Sequence, residues 1–460
     1  MSSIAASRSP DPAVEETPAA VRMASAACAF GAADLDAALI DEAKTCLRDL
    51  IGCACESRAL PWSRQACATI AATPAGASIV GEAGAYAAGD AAFVNAVMGH
   101  GLVREDMHAG SISHLGIVVL PTVLALAETR AVAGADFLAA IVVGYELGAQ
   151  LGRAVMNAEV AKIHRPTGVT GPVAGAAAAA HLLKLDVNAY TSALAFAANA
   201  SAGFNQWAWT GGSEMFFQAG LAARSAVTAV GLAAAGAYGS PSAIDGAAGL
   251  CAALGRAEAG ANLRPFAAEP EILRVYHKAV PACNFAQTPA LAALRLARTK
   301  SIAPARIASI LVRVPRAGAL YPGCDYAGPY ANVLQGKMSI QYNVAAALLT
   351  GEITERNFDL LADPGLARLV SATRLEVDPA LTAAYPGLQG GEVLVTLADG
   401  TQHAVRLEDV VHASAEEVAR RFEAAAAKVF GAARAAEIAE TIDTLEQRPD
   451  AGALARLLRA

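Results

Sequence analysis

Aromatic side chains are scarce in this sequence, at 5%, and charged ones make up only 17%. A core short of large rings must be filled with aliphatic and small residues, so tight packing has to come from many small contacts. Basic runs are absent and the formal net charge is −7. That balance argues against a nucleic-acid partner, although a local basic site can still hold an anion. An unbroken long hydrophobic run is missing too. The most apolar region, Leu115 to Leu151, is interrupted by Pro121, Glu128, Arg130, Asp136 and Glu146. No membrane span is expected. The cysteines (28, 46, 53, 55, 67, 251, 283 and 324) form no metal ladder, because Cys53-Ala-Cys55 lacks a second pair at useful spacing. They read as small core residues. The start of the chain lacks a basic region followed by an apolar stretch, so no signal peptide is expected, and Asp11, Glu15 and Glu16 argue against a mitochondrial transit sequence. A soluble, reducing, cytoplasmic setting is the expectation.

What is present is alanine, and with it helix. At 460 residues the chain exceeds one simple core, and two domains are expected. Residues 1–22 hold Pro, Ser and acids without period and read as a disordered tail. Leu35, Leu39, Ala43, Leu47 and Ile51 then recur every four residues, as one helix stripe. Helical patterning continues through 121–129, 134–155, 169–183 and 219–236. Near residue 270 the character changes. Residues 307–314 are β-branched and alternate, and 374–377 is similar. Two runs, 393–397 and 403–407, flank Asp399-Gly400 and predict a hairpin. Ser414-Ala-Glu-Glu417 is a capping box that opens a helix over 418–430. The fold class expected is mainly α. Residues 23–271 and 408–460 form one helical domain, and 272–407 form an inserted, smaller α+β lid. The apolar surplus suggests burial between subunits.

Three of the eight histidines, His100, His108 and His114, fall within fifteen residues, beside Glu105 and Asp106. An apolar helix follows at once. Proton-carrying groups at the mouth of a greasy helix suit acid–base chemistry, because partial burial moves pKa values toward neutrality. Separate packing roles for each histidine are the bland alternative. A metal reading lacks the rigid H-E-x-x-H spacing, and no metal is expected.

Three further segments carry chemistry. His164-Arg165 precedes Pro166-Thr-Gly168 and an Ala-rich helix, and a helix N-terminus beside a cation is a ready carboxylate site. Lys278 lies among apolar residues and is expected to be half buried with a lowered pKa. Lys337-Met-Ser-Ile-Gln-Tyr342 opens another apolar helix, where Tyr342 by itself reads as a core residue. Each also has an ordinary structural reading.

Together, in this order, the segments resemble the MmgE/PrpD family of 2-methylcitrate dehydratase, cis-aconitate decarboxylase and iminodisuccinate epimerase. The resemblance runs from about residue 25 to 455. Its carriers are Glu105-Asp-Met-His108 with Ser111-Ile-Ser-His114-Leu-Gly116, then His164 through Pro172, Lys278 through Cys283, and Lys337 through Tyr342. The resemblance implies a helical domain with an α+β lid, a dimer, no metal or organic cofactor, and a site between the two parts. It implies catalytic roles for Asp106, His108, Lys278 and Tyr342. His164 or Arg165 would take the place of a family histidine. His114, Arg104, Arg165 and Lys337 would bind substrate.

The chain also departs from the pattern. The family's K-x-L-H-x-G segment is Met215-Phe-Phe-Gln-Ala-Gly220 here, so a lysine and a histidine are replaced by Met215 and Gln218. That implies fewer, or differently placed, substrate carboxylates. The expected activity is a lyase that abstracts a proton next to a carboxylate of a small (di)carboxylic acid, by dehydration or decarboxylation. An epimerase on the same site, or a carboxylate-binding protein without turnover, are the alternatives.

Overall fold

The computed structural model describes residues 17–460 apart from residue 301. The protein is mainly α-helical, with few and small sheets. At its centre lie three helices, Gly116–Glu128, Gly134–Val155 and Pro166–Leu182, buried along almost their whole length. Ala88–His100 and Glu214–Ala234 pack around them. Small residues make this possible. A Cβ added at Gly144 would lie 2.8 Å from Ala178 Cβ, and one at Gly148 would lie 2.5 Å from Ala174 Cβ. Backbones this close exclude larger side chains, which explains how a core poor in aromatics reaches full density.

The predicted helices are found, with earlier starts. The helix expected from Pro121 begins at Gly116, and the one expected from Val169 begins at Pro166. Each helix runs through an interior proline, Pro121 at the sixth position and Pro172 at the seventh, at the loss of one ladder bond apiece. Of the expected tail, residues 1–16 lie outside the described residues, while Ala19–Ala29 is helix. The stripe at 35–51 lies on or just before the helix Ala37–Ser57, capped by Asp36. That helix packs against Ala415–Phe430 from the far end of the chain. The contact is close enough that a Cβ on Gly52 would sit 3.1 Å from Phe422 Cα.

The later part carries a four-stranded sheet in the order Thr373–Val377, Ile307–Val314, Gly391–Leu397, Gln402–Leu407. The first pair is parallel and the other two are antiparallel. The predicted hairpin is present, and Gly400 supplies the positive φ, +83°, that its turn requires. Helix Gln287–Lys300 covers the last two strands, and Ile340–Thr350 packs beside it. The capping box at Ser414 and Glu417 forms in both directions.

Two helices, Gly134–Val155 and Glu214–Ala234, are long and apolar enough to cross a membrane by length and composition. The apolar window of the first is 83% buried within the protein, that of the second 50%. In the first, Glu146 accepts the backbone N–H groups of Phe266 and Glu271, so its charge faces protein.

Candidate active site

A two-residue ladder joins the two halves of the sequence. Met107 and His108 pair antiparallel with Tyr276 and Val275. This places the loop after Tyr276, and with it Lys278, against the turn that follows His100. Lys278 is fully buried, and its ammonium donates to the carbonyl of Val103.

Glu105 is the hub. Its carboxylate is fully buried, and one oxygen, Oε1, lies 2.6 Å from His100 Nδ1 and 2.9 Å from His114 Nδ1. His114 Nδ1 also lies 3.1 Å from the Asp106 carbonyl. Two acceptors at that nitrogen require it to carry the proton, which fixes the tautomer. Burial pushes His114 down to about 3, with Lys278 adding to the effect and Glu105 opposing it. His114 is therefore a neutral imidazole at neutral pH. Burial works against charge on Glu105 as well, but the flanking imidazoles and their N–H groups hold it well below the usual carboxylate range. Lys278 is lowered by burial, with Glu105 supporting the charged form. The second carboxylate oxygen of Glu105, Oε2, makes no hydrogen bond among the described residues.

Arg165 completes the group. It precedes the helix Pro166–Leu182, is buried, and donates from Nη2 to His100 Nε2 at 3.0 Å. Nη1 reaches Tyr321 Oη at 3.4 Å. His164 turns the other way, half buried against the Phe204 ring at 5.8 Å. Both residues are extended, and successive extended side chains point to opposite sides, so only one of the pair can enter the site. One anion, Glu105, thus faces two cations, Lys278 and Arg165, and the surplus positive charge favours an anionic ligand.

Val103, Met107, Ile112, Met215, Phe285 and Met338 form the apolar part of the adjoining pocket. His114, Arg165, Cys283, Asn284 and Tyr321 supply the polar part. The cavity is only about 20 Å³, roughly the space of one water. A second cavity of about 290 Å³ shares Ile112, Phe285 and Tyr321 with it. Ile112 is β-branched with φ +53°, a strained conformation at the partition between the two spaces.

The other candidates lie elsewhere. His108 Nε2 is 3.0 Å from Glu271 Oε2 and its Nδ1 is 2.9 Å from Ser111 Oγ. Arg153 pairs with the same Glu271. These residues border a separate polar cavity of about 420 Å³ with Arg274, Gln389 and His412. The Asp106 carboxylate accepts from Tyr145 Oη at 3.0 Å and orients no histidine; burial raises it to about 7. Tyr342 donates to the Asn357 carbonyl at 2.7 Å and stacks on Phe358. Lys337 is fully buried but held by Leu102 O, Pro281 O and Glu355. Arg104 forms a two-pronged pair with Glu56. Sequence reasoning left Glu105, His100, Cys283 and Tyr321 outside the candidate set. The clue for the first two was the recurrence of His, Glu and His at 100, 105 and 114.

Two clusters place three ligand-type atoms within 4.8 Å, Glu42–Cys46–His277 and His100–Glu105–His114. In both, the imidazole nitrogens nearest the carboxylates already hydrogen-bond to them.

The MmgE/PrpD N-terminal domain model matches residues 21–260 and the MmgE/PrpD C-terminal domain model matches 280–447. The chain belongs to the MmgE/PrpD family. A cis-aconitate decarboxylase-like protein, oryM, of Aspergillus oryzae is 33% identical over 180 residues, 37% of each chain. The cis-aconitate decarboxylase of Aspergillus terreus is 30% identical over 213 residues, 45% of this chain and 43% of its own. The matched region thus spans less than half the length of these curated relatives. The Glu105 hub lies within the N-terminal MmgE/PrpD match, and Lys278 falls in the gap between the two matches.

Proposed function

We propose that this MmgE/PrpD protein is a cofactor-independent lyase acting on a small mono- or dicarboxylic acid by proton abstraction next to a carboxylate. The observation that carries the reading is that buried Arg165 and neutral His114 line one pocket, while the buried ammonium of Lys278 lies behind its wall, bonded to the carbonyl of the lining residue Val103. Carbon acids beside a carboxylate are weakly acidic, so an enzyme must stabilise the enolate-like charge that develops. Lys278 and Arg165 supply that charge from a dry site, where it is worth most. Glu105 fixes both imidazoles and offsets one of the two cations. Met215 on the pocket wall supports a substrate with fewer carboxylates than a tricarboxylate, because an apolar side chain stands where a third cation would be needed. Substrate reaches the pocket from the neighbouring cavity when Ile112, Phe285 or Tyr321 moves aside, and residues 272–407 act as the lid. The site stands apart from any membrane or nucleic acid, in a cytoplasmic homodimer. The dimer face we assign is the half-buried helix Glu214–Ala234, where Leu221 and Leu232 are exposed and Leu221 lines a groove with the exposed Phe204.

The test is proton NMR in D2O with a panel of cis-aconitate, hydroxy-dicarboxylates and imino-diacids. Deuterium entering a carbon-bound position supports the reading, and the product formed separates dehydration, decarboxylation and epimerisation. Tight binding with neither exchange nor turnover would instead mark a carboxylate-binding protein that keeps the fold.

A further inference from the structure

We propose that Cys283 is a catalytic residue of this pocket, its thiolate taking the proton from the carbon beside the substrate carboxylate, with Cys324 as a positioning residue beneath it. The proposal rests on the reading of the site just given.

The geometry is a pair of buried thiols with unlike surroundings. Cys283 lines the pocket with His114 and Arg165, and its Sγ lies 3.5 Å from Cys324 Sγ. Lys278 and Arg165 act on Cys283, and the backbone N–H of Phe285 donates to it. Cys324 is fully buried and feels Asp325 instead. Opposite charges therefore put the anion on Cys283 and leave the proton on Cys324, which donates across the gap. The backbone N–H of Cys283 is held by Lys337 O at 2.9 Å, so the sulfur is presented from a fixed turn.

Magnitudes then choose between His114 and Cys283 as the base. The Cys324 hydrogen bond, with the Phe285 N–H and the two cations, brings Cys283 down to about 7 against the effect of burial. Burial raises every other cysteine. His114, at about 3, is a weak proton acceptor. A base is most effective when its pKa lies near the working pH, which favours the thiolate. In the step, the C–H bond breaks and an S–H bond forms, while the electron pair moves into the carboxylate as an enolate facing Lys278 and Arg165. In a dehydration, Cys283 then returns its proton to the departing hydroxyl. The C–O bond breaks, water leaves and the thiolate is restored.

The experiment uses the full-length chain and two variants, Cys283→Ser and Cys324→Ala. Thiolate absorbance near 240 nm is followed as pH rises, a reading that needs no reagent to enter the pocket. Wild type should show a thiolate step near about 7. The step should vanish in Cys283→Ser and move to higher pH in Cys324→Ala. Deuterium exchange into the most responsive acid of the panel should fall at least about 100-fold in Cys283→Ser, the scale of a lost general base. In Cys324→Ala the rise of the exchange rate with pH should shift upward and reach a similar plateau, which a merely structural cysteine would not produce. Cys283→Ala substitutes if the serine variant is unstable. Absence of the thiolate step, or exchange at the wild-type rate in Cys283→Ser, overturns the proposal and leaves the site reading standing. A wild-type protein that exchanges none of the acids overturns the site reading, and this proposal with it.

Discussion

Lys278 and Lys337 are both fully buried, both come from the later part of the chain, and both reach carbonyls of neighbouring residues, Val103 and Leu102. Burial alone would class them together. Their partners separate them. Lys337 places its three donors on Leu102 O, Pro281 O and the Glu355 carboxylate, which saturates an ammonium group. Among the described residues Lys278 donates to one carbonyl, with Glu105 nearby as its counter-charge. A saturated buried lysine is a cross-link. An unsaturated one beside a pocket has donors left for a ligand. Counting acceptors, rather than measuring exposure, tells structural charge from functional charge.

The largest effect expected is on Lys278. Lys278→Met should lower kcat/KM about 100- to 1000-fold, as removal of one oxyanion-stabilising donor does elsewhere. It should leave the protein folded, at a cost of about 1–3 kcal/mol for the Val103 carbonyl it strands. Steady-state kinetics and calorimetry on the same preparation check both halves, and retained activity would remove Lys278 from the mechanism.

Next in size is a pH effect on the histidines. His114, near 3 in the folded protein against about 6.5 unfolded, binds its proton more readily when unfolded. Stability should therefore fall as pH drops from about 6.5 toward 3, by at most about 1.4 kcal/mol per pH unit. His277 is the opposite case. Burial opposes its charge, but Asp49, Cys46 and Glu42 hold its pKa well above the ordinary value. Its contribution is fully present below about pH 6.5 and is lost as pH rises through its folded pKa. Urea midpoints across pH should show both limbs. His114→Gln should flatten the acid limb and His277→Asn the alkaline one.

Lys337→Met should cost about 1–3 kcal/mol of unfolding free energy through the acceptors it strands, while turnover survives. For turnover this is the reverse of the Lys278 case. Smallest of all, Tyr342→Phe should cost about 1 kcal/mol for the lost bond to Asn357 O and leave turnover within about twofold. A large kinetic loss there would place Tyr342 in the chemistry after all.

Local rules made much of the fold legible. The hairpin at Asp399-Gly400 and the box at Ser414 and Glu417 follow from turn and capping chemistry over a few residues. The site was legible in part. The histidine cluster and Lys278 were visible as rare residues in apolar settings. Which of His164 and Arg165 enters the site depends on one extended residue's direction, and no composition encodes that. Lys337 and Tyr342 stand in a motif with Lys278, yet their side chains meet Glu355 and Asn357, partners known only once the chain has folded. Glu105 was named beside the histidines but given no role of its own, because a carboxylate there becomes a hub only when His100 and His114 reach it from both sides.

The most direct measurement is a crystal structure with a bound hydroxy-dicarboxylate of the panel. The account expects one carboxylate within hydrogen-bonding distance of both Lys278 Nζ and Arg165, with His114 and Cys283 against the neighbouring carbon. A ligand held instead in the cavity of His108, Arg153 and Arg274, with Lys278 and Arg165 untouched, would contradict it.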